Sequence, residues 1–228
     1  MKRLSFIFLI VFSLGVTSCL RNGTETIALP FGKIPDGVIP ESIKEQFSYH
    51  MPIYEGITPP NVIGEYVCNP NNLVYTSDGI FPEGYTFAPD YFSFKNQSAS
   101  GMATFRNKQA TSVGNASDVY IVGSGNNFSA YYILYETRYD EDGQIEATVT
   151  RSNILSGTVT SSGIQNYYLA FIILDKYDPH NVIMDVNEYR IFTDGDGLAE
   201  RYDWRTSKNL QETLEILPSL TNAKPITK

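Results

Sequence analysis

Few residues of this chain have the type and spacing to do chemistry. Asp194-Gly195-Asp196-Gly197 sets two carboxylates between glycines, a backbone that can fold tightly enough for several oxygens to converge on Ca2+. An EF-type loop wants acids at its first, third and fifth positions, glycine at the sixth and glutamate at the twelfth. With Gly197 sixth, Asp196 and Asp194 stand fifth and third, but Phe192 stands first and Asp203 twelfth. Asp194 and Asp196 are therefore calcium candidates in an incomplete frame, and a glycine-rich turn after a strand is the plainer reading. Asp175, Asp178, Asp185, Glu188, Glu200 and Asp203 lie near enough in sequence to add oxygens. No other cofactor is implied.

Nucleophilic and zinc chemistry are poorly supplied. The two histidines are His50, in a proline-rich stretch, and His180, in a Pro-Asn turn. No serine sits in Gly-x-Ser-x-Gly, and Cys68 has no base near it in sequence. Two histidines and one thiol lack zinc spacing. Gly123-x-Gly125 lacks the third glycine of a dinucleotide loop and reads as a hairpin turn. These absences favour a non-enzymatic protein, with a carboxylate-dependent hydrolase as the least favoured alternative. Tyr131, Tyr132, Tyr135 and Tyr167 stand on adjacent strand candidates. Exposed, they would make a ligand-binding face for sugar or peptide; buried, they fill the core, which is the commoner fate of strand aromatics.

The N-terminus carries a different chemistry. Met1-Lys2-Arg3 precedes an apolar run from Leu4 to Val16. As a helix that run would span about 20 Å, short of the roughly 30 Å hydrocarbon core, so it reads as the apolar part of an export signal. It ends Val16-Thr17-Ser18-Cys19, which resembles the bacterial lipobox. The resemblance implies cleavage before Cys19, a diacylglyceryl thioether on its sulfur and acylation of the freed amine, palmitate being the typical chain. Two or three acyl chains hold a protein to a bilayer far better than one. With Cys19 lipidated, Cys68 has no partner for a disulfide, and the fold must rest on its core.

Residues 1–18 hold two of the 17 basic residues and none of the 25 acidic ones, so the mature chain carries a net charge of −10. Such a chain suits neither nucleic acid nor an anionic lipid surface, and leaves membrane attachment to the lipid. Charged residues are sparse at 18%, whereas 16 tyrosines, 13 phenylalanines and 17 glycines favour strands and turns.

Prolines and glycines in residues 19–60 predict a tether interrupted by a short helix at Glu41–Ser48, where Ile43 and Phe47 share a face. Residues 49–60 are apolar enough to pack over the domain instead. From residue 61 to 205 strands follow one another. Phe128–Tyr139 alternates, with Phe128, Ala130, Tyr132 and Leu134 on one face and Ser129, Tyr131, Ile133 and Tyr135 on the other. Asp140–Gly143 is a hairpin turn, Ile145–Thr160 returns, and Tyr167–Leu174 is apolar on both faces. Asp118–Gly123 and Val182–Phe192 complete the second half. Gly64–Cys68, Asn72–Thr76, Asp90–Lys95 and Gly101–Arg106 are shorter candidates. Residues 206–228 hold a short helix, Asn209 to Leu217, and a tail.

Consecutive strands joined by turns predict an all-β antiparallel meander, with barrel closure removing the edges. A two-sheet β-sandwich is the alternative. Gly64-Glu65-Tyr66 resembles the Gly-x-aromatic opening of lipocalin-like (calycin) barrels. Together with the lipobox, the Met51–Gly56 and Pro59-Pro60 segment and the Asp194–Gly197 close, the chain resembles lipobox-bearing envelope lipoproteins of Gram-negative gut bacteria. That resemblance implies attachment at the outer membrane and carries over no catalytic residues. The expected function is a lipid-anchored β domain that binds a ligand or partner in the cell envelope; a structural or assembly role without a small ligand is the alternative.

Overall fold

A computed structural model describes residues 37–203. The signal, Cys19, the first part of the tether and the helix expected at 209–217 lie outside these residues.

Helix α1 spans Glu41–Ser48, where the sequence places it. Pro40 sits before the first turn and its carbonyl accepts the Ile43 and Lys44 N–H groups at 3.0 Å. Eleven strands follow: β1 (Gly64–Cys68), β2 (Asn71–Thr76), β3 (Thr86–Phe87), β4 (Asp90–Lys95), β5 (Met102–Gln109), β6 (Ser112–Ser124), β7 (Asn127–Tyr139), β8 (Ile145–Val159), β9 (Gly163–Tyr177), β10 (Tyr189–Asp194) and β11 (Leu198–Arg201). All belong to one antiparallel sheet in the order β11-β1-β4-β5-β6-β7-β8-β9-β10-β2-β3. The all-β meander is thus the observed architecture.

Closure is partial. The first residues of β9 pair with β11 (Gln165 opposite Leu198, Gly163 opposite Glu200), and β11 pairs with β1. The later residues of β9 pair with β10 instead, and β2 and β3 continue from there. One end of the sheet therefore meets itself and the other flares open. It is neither a complete barrel nor two separate sheets.

Three buried clusters follow from the alternation of side chains across the sheet. Inside the ring lie Tyr66, Phe92, Phe94, Phe105, Phe128, Tyr132, Leu134 and Tyr167. On the same face, toward the flare, Leu73, Val149, Phe171, Ile173 and Phe192 pack with Phe81, Phe87, Ile183 and Met184. On the opposite face Tyr131, Ile154, Ala170, Ile172 and Ile191 are covered by Val38, Ile39, Phe47 and Met51. β9 serves both faces, which is why its Tyr-Tyr-Leu-Ala-Phe-Ile-Ile-Leu run shows no polar phase.

Residues 38–57 form the cover, a strap laid across the outer face. Buried serines hold it: Ser152 Oγ donates to the Val38 carbonyl, and Ser129 Oγ accepts the Tyr54 N–H at 2.8 Å. Its far end pairs in parallel with Gly123, with Gly123 N–H on Gly56 O at 3.2 Å and Thr58 N–H on Gly123 O at 3.1 Å. Over 38–48 the stretch expected as a tether is packed on the sheet, and over 49–57 the structure has the packed alternative.

β3 and β11 go beyond the expected strands, and the starts of β6 and β10 shift most. β6 begins at Ser112, six residues early, because its polar first half is paired on both sides and then bulges between Asn115 and Val119. The last long strand expected over 182–192 is a strand only from Tyr189. The Asp178 carboxylate accepts the Val182 and Ile183 N–H groups at 2.9 Å, and Asn181 and Asn187 take positive φ, which folds 178–188 into a loop.

Candidate functional site

A layer of polar side chains crosses the interior between the ring core and the flare. The register sets it: Asn107 lies opposite Gly114, Gly114 opposite Glu136, Leu134 opposite Arg151 and Tyr132 opposite Asn153. Asp90 joins from β4, accepting the Asn107 Nδ2 amide at 3.1 Å. Arg151 and Glu136 pair at 2.5 Å with both side chains 9% exposed. The Arg151 guanidinium also lies 4.3 Å over the Phe171 ring. Asn107 Oδ1, Tyr132 OH, Arg151 Nε and both amide atoms of Asn153 are buried and take no hydrogen-bond partner among the described residues.

Burial dominates the electrostatics of this layer. Desolvation pushes the Asp90 carboxyl up to about 7, against the Asn107 hydrogen bond and the Arg151 charge, while Glu136 adds to the rise. Tyr132 and Tyr167 are raised for the same first reason. In the unfolded chain Asp90 titrates near 4, so the folded state holds an extra proton between about pH 4 and 7. Stability contributed by that proton is present below pH 4 and is lost as pH rises to 7. Asp90→Asn keeps the oxygen that Asn107 bonds and removes the titration. We expect it to stabilise the domain at pH 8 by up to about 4 kcal/mol and to leave stability at pH 4 nearly unchanged. Denaturant midpoints of both proteins across pH 4–8 check this, and parallel curves would refute it.

From this layer an aromatic and cationic wall runs to the flared end. Arg151 stands on Phe171, Phe171 stacks with Phe192 at 5.9 Å, and Phe192 meets Phe87 edge-on at 5.3 Å. Arg190 lies 5.6 Å over Phe87 and 5.1 Å over Phe81. Phe81, Tyr85 and Phe87 form a closed triad with centroids 4.7 to 5.0 Å apart. The wall ends in a cavity of about 420 Å3 whose lining includes Phe81, Phe87, Arg138, Met184, Glu188 and Arg190. This is the mouth of the interior.

Hydrogen bonds fix the two loops that frame it. Asp78 accepts Thr76 Oγ1 at 2.6 Å, the Ile80 N–H at 2.9 Å and Arg190 at 2.5 Å. Burial would raise its carboxyl, and these bonds outweigh that and hold it below the usual range. Across the mouth, Lys176 Nζ reaches Ile183 O at 2.9 Å and Asp185 at 3.0 Å. Arg190 Nε is buried without a partner among the described residues. Larger hollows of about 790 and 550 Å3 lie beside Gly64 and Arg201 and between Ile57 and Gly101. None of their lining residues carries an unsatisfied buried atom.

The four tyrosines singled out in the sequence are divided among three places. Tyr132 and Tyr167 are inside, Tyr131 lies under the strap, and Tyr135 is 59% exposed on the outer face beyond it. Asp194 is buried at the turn between β10 and β11, where it accepts the Asn69 N–H at 2.9 Å and the Asp196 N–H at 3.1 Å; Asp196 accepts the Leu198 N–H at 3.1 Å. Desolvation raises Asp194, with the neighbouring Asp196 adding to it. Among the described residues no three His, Cys, Asp or Glu side chains are grouped to hold a metal ion. Cys68 is buried, and burial pushes its thiol far up, so it is not a nucleophile at neutral pH. His50, within the strap, stacks on Tyr75 of β2 at 4.3 Å, and His180 is exposed in its turn.

Arg151 and Asn153 were legible in part. In β8 they occupy the same inward phase as Ala147, Val149 and Leu155, where a charge is out of place. Asp90 and Arg190 sit at strand ends, where a polar residue draws no notice. No family model, curated protein or solved structure matches this chain.

Proposed function

We propose that this chain is a cell-envelope protein, anchored at the outer membrane through lipid on Cys19, whose β domain binds a ligand at the flared mouth without transforming it. The observation that carries the reading is the mouth itself: a cavity of about 420 Å3, within the range of small-molecule sites, lined by Phe81, Phe87 and the Arg190 guanidinium together with Asp185 and Glu188. Among the described residues no nucleophile–base pair accompanies it, and no helix is long and apolar enough to cross a membrane. The lipobox supports the anchor. The aromatic filling of the ring favours a second reading, an assembly component without a small ligand.

The anchor is tested by partition of the envelope-expressed protein in detergent. The wild-type protein is expected almost wholly in the detergent phase and Cys19→Ser almost wholly in the aqueous one. Equal partition would refute the anchor. Binding is tested by melting the mature protein against neutral saccharides, fatty acids and short peptides. A ligand at about a hundred times its Kd should raise stability by about 2.7 kcal/mol. No shift with any class would refute the mouth as a binding site.

A further inference from the structure

We infer that the polar layer across the interior is a site for bound water, held between Asn107, Tyr132, Arg151 and Asn153. It stands apart from whatever the mouth binds. Five buried atoms of the layer lack a hydrogen-bond partner among the described residues: Asn107 Oδ1, Tyr132 OH, Arg151 Nε and both amide atoms of Asn153. A buried donor or acceptor left unbonded forfeits its hydration for nothing, and five such losses in one place would rival the whole stability of a domain. Turning the side chains does not remove the deficit. A bond from Tyr132 OH to Asn153 Oδ1, across the register of β7 and β8, would still leave Asn107 Oδ1, Arg151 Nε and Asn153 Nδ2.

The atoms are neighbours. Tyr132 and Asn153 face each other between β7 and β8, and Arg151 stands on the same side of β8 two positions away. Asn107 lies against Gly114, where a Cβ would stand 2.5 Å from its Oδ1 and 2.9 Å from Leu134 Cδ2. Leu134 in turn is opposite Arg151. The Asn107 amide is held one way round, because its Nδ2 donates to Asp90 at 3.1 Å and leaves Oδ1 as the free end. All four residues are more than nine-tenths buried.

The mix of free groups selects the ligand. Arg151 Nε and Asn153 Nδ2 donate, Asn107 Oδ1 and Asn153 Oδ1 accept, and Tyr132 OH does either. An anion would serve the donors but face two amide oxygens and the Glu136 carboxylate paired with Arg151. A cation would serve the oxygens but face the guanidinium. A neutral group that both donates and accepts serves all five atoms. It must also be small: Tyr132 packs on Phe105 at 4.6 Å and Arg151 on Phe171 at 4.3 Å, so rings already cover these side chains. Water meets both conditions. A buried water makes about three hydrogen bonds, so the five atoms call for about two waters. These join β5, β7 and β8, and Asn107 carries the network on to Asp90 of β4.

Crystals of the mature, detergent-solubilised protein grown with sodium bromide, and diffracting well enough to show ordered solvent, test this. Solvent peaks are expected within about 3.2 Å of these atoms, each peak touching two or more of them and none giving the anomalous signal of bromide. A dry layer, side chains bonded directly to one another in place of water, or a bromide or metal peak would overturn the inference. Asn153→Leu adds a measurement of opposite sign for the two cases. With water bound, losing the amide strands the partners of that water, and the melting temperature should fall by about 5 °C or more. With a dry amide, leucine removes two unbonded polar atoms and adds apolar burial, so the melting temperature would rise, and a rise would overturn the inference. The crystals use the wild-type residues, so they decide even where the variant does not fold.

Discussion

Arg151→Met is expected to destabilise the domain by about 3–5 kcal/mol, because it leaves Glu136 charged and buried with its partner gone. The wild-type pair is nine-tenths buried on both sides, so solvent screens it little. Methionine can fill the space and keep the contact with Phe171, which confines the loss to charge and hydrogen bonding. Adding Glu136→Leu should recover most of the stability, since replacing both members of a buried pair with apolar groups is often neutral or better. Asp90 limits the damage, since without the Arg151 charge its carboxyl rises further and stays protonated. Chemical denaturation of the single and double variants checks the expectation. A single variant as stable as wild type would show that the pair is solvated in practice.

Gly163→Ala should cost about 3 kcal/mol and open the ring where it closes. A Cβ at Gly163 would collide with the Ala199 carbonyl oxygen and crowd the backbone of Glu200. These are main-chain atoms of β11, the strand that joins β9 to β1, and they cannot rotate away. The strands must separate instead, and the bonds beside them go too: Arg201 N–H to Ser162 O at 2.9 Å and Tyr202 N–H to Glu65 O at 2.9 Å. Gly143→Ala is the control. It stands in a hairpin turn at φ 76 with open space around it, so only the cost of a positive φ applies, about 1 kcal/mol. Hydrogen exchange should speed at Ala199–Tyr202 in the first variant and be unchanged there in the second. Equal exchange in both would mean that the closing strand yields without loss.

Local patterns were readable in the sequence and distant pairings were not. The helix at Glu41–Ser48 and the two faces of β7 follow from spacing alone, because each depends on residues close in the chain. β3 and β11 are too short to show a period, and each exists because a remote strand offers it an edge. Residues 182–188 looked like the start of a strand because Val182-Ile183-Met184 is apolar; one carboxylate, Asp178, captures their backbone instead. The same limit applied to the site. The opposite faces of Tyr131 and Tyr132 follow from alternation, but that the strap covers the one and the ring encloses the other depends on distant parts of the chain. Arg190 and Phe81 are 109 positions apart in a chain where only the order β10-β2-β3 brings them together.

The strap fixes how the domain would respond to tension. Force applied at residue 37 meets Val38 and Ile39 first, and each group that lets go passes the load to the next. Release therefore travels along the strap as a zipper does, toward the pairing at Gly123, before any strand is pulled. The 20 residues from 38 to 57 would pay out roughly 65 Å of chain in this way. A domain held by a short leader from a moving surface thus carries its own slack, and the sheet with its mouth stays whole while the slack runs out.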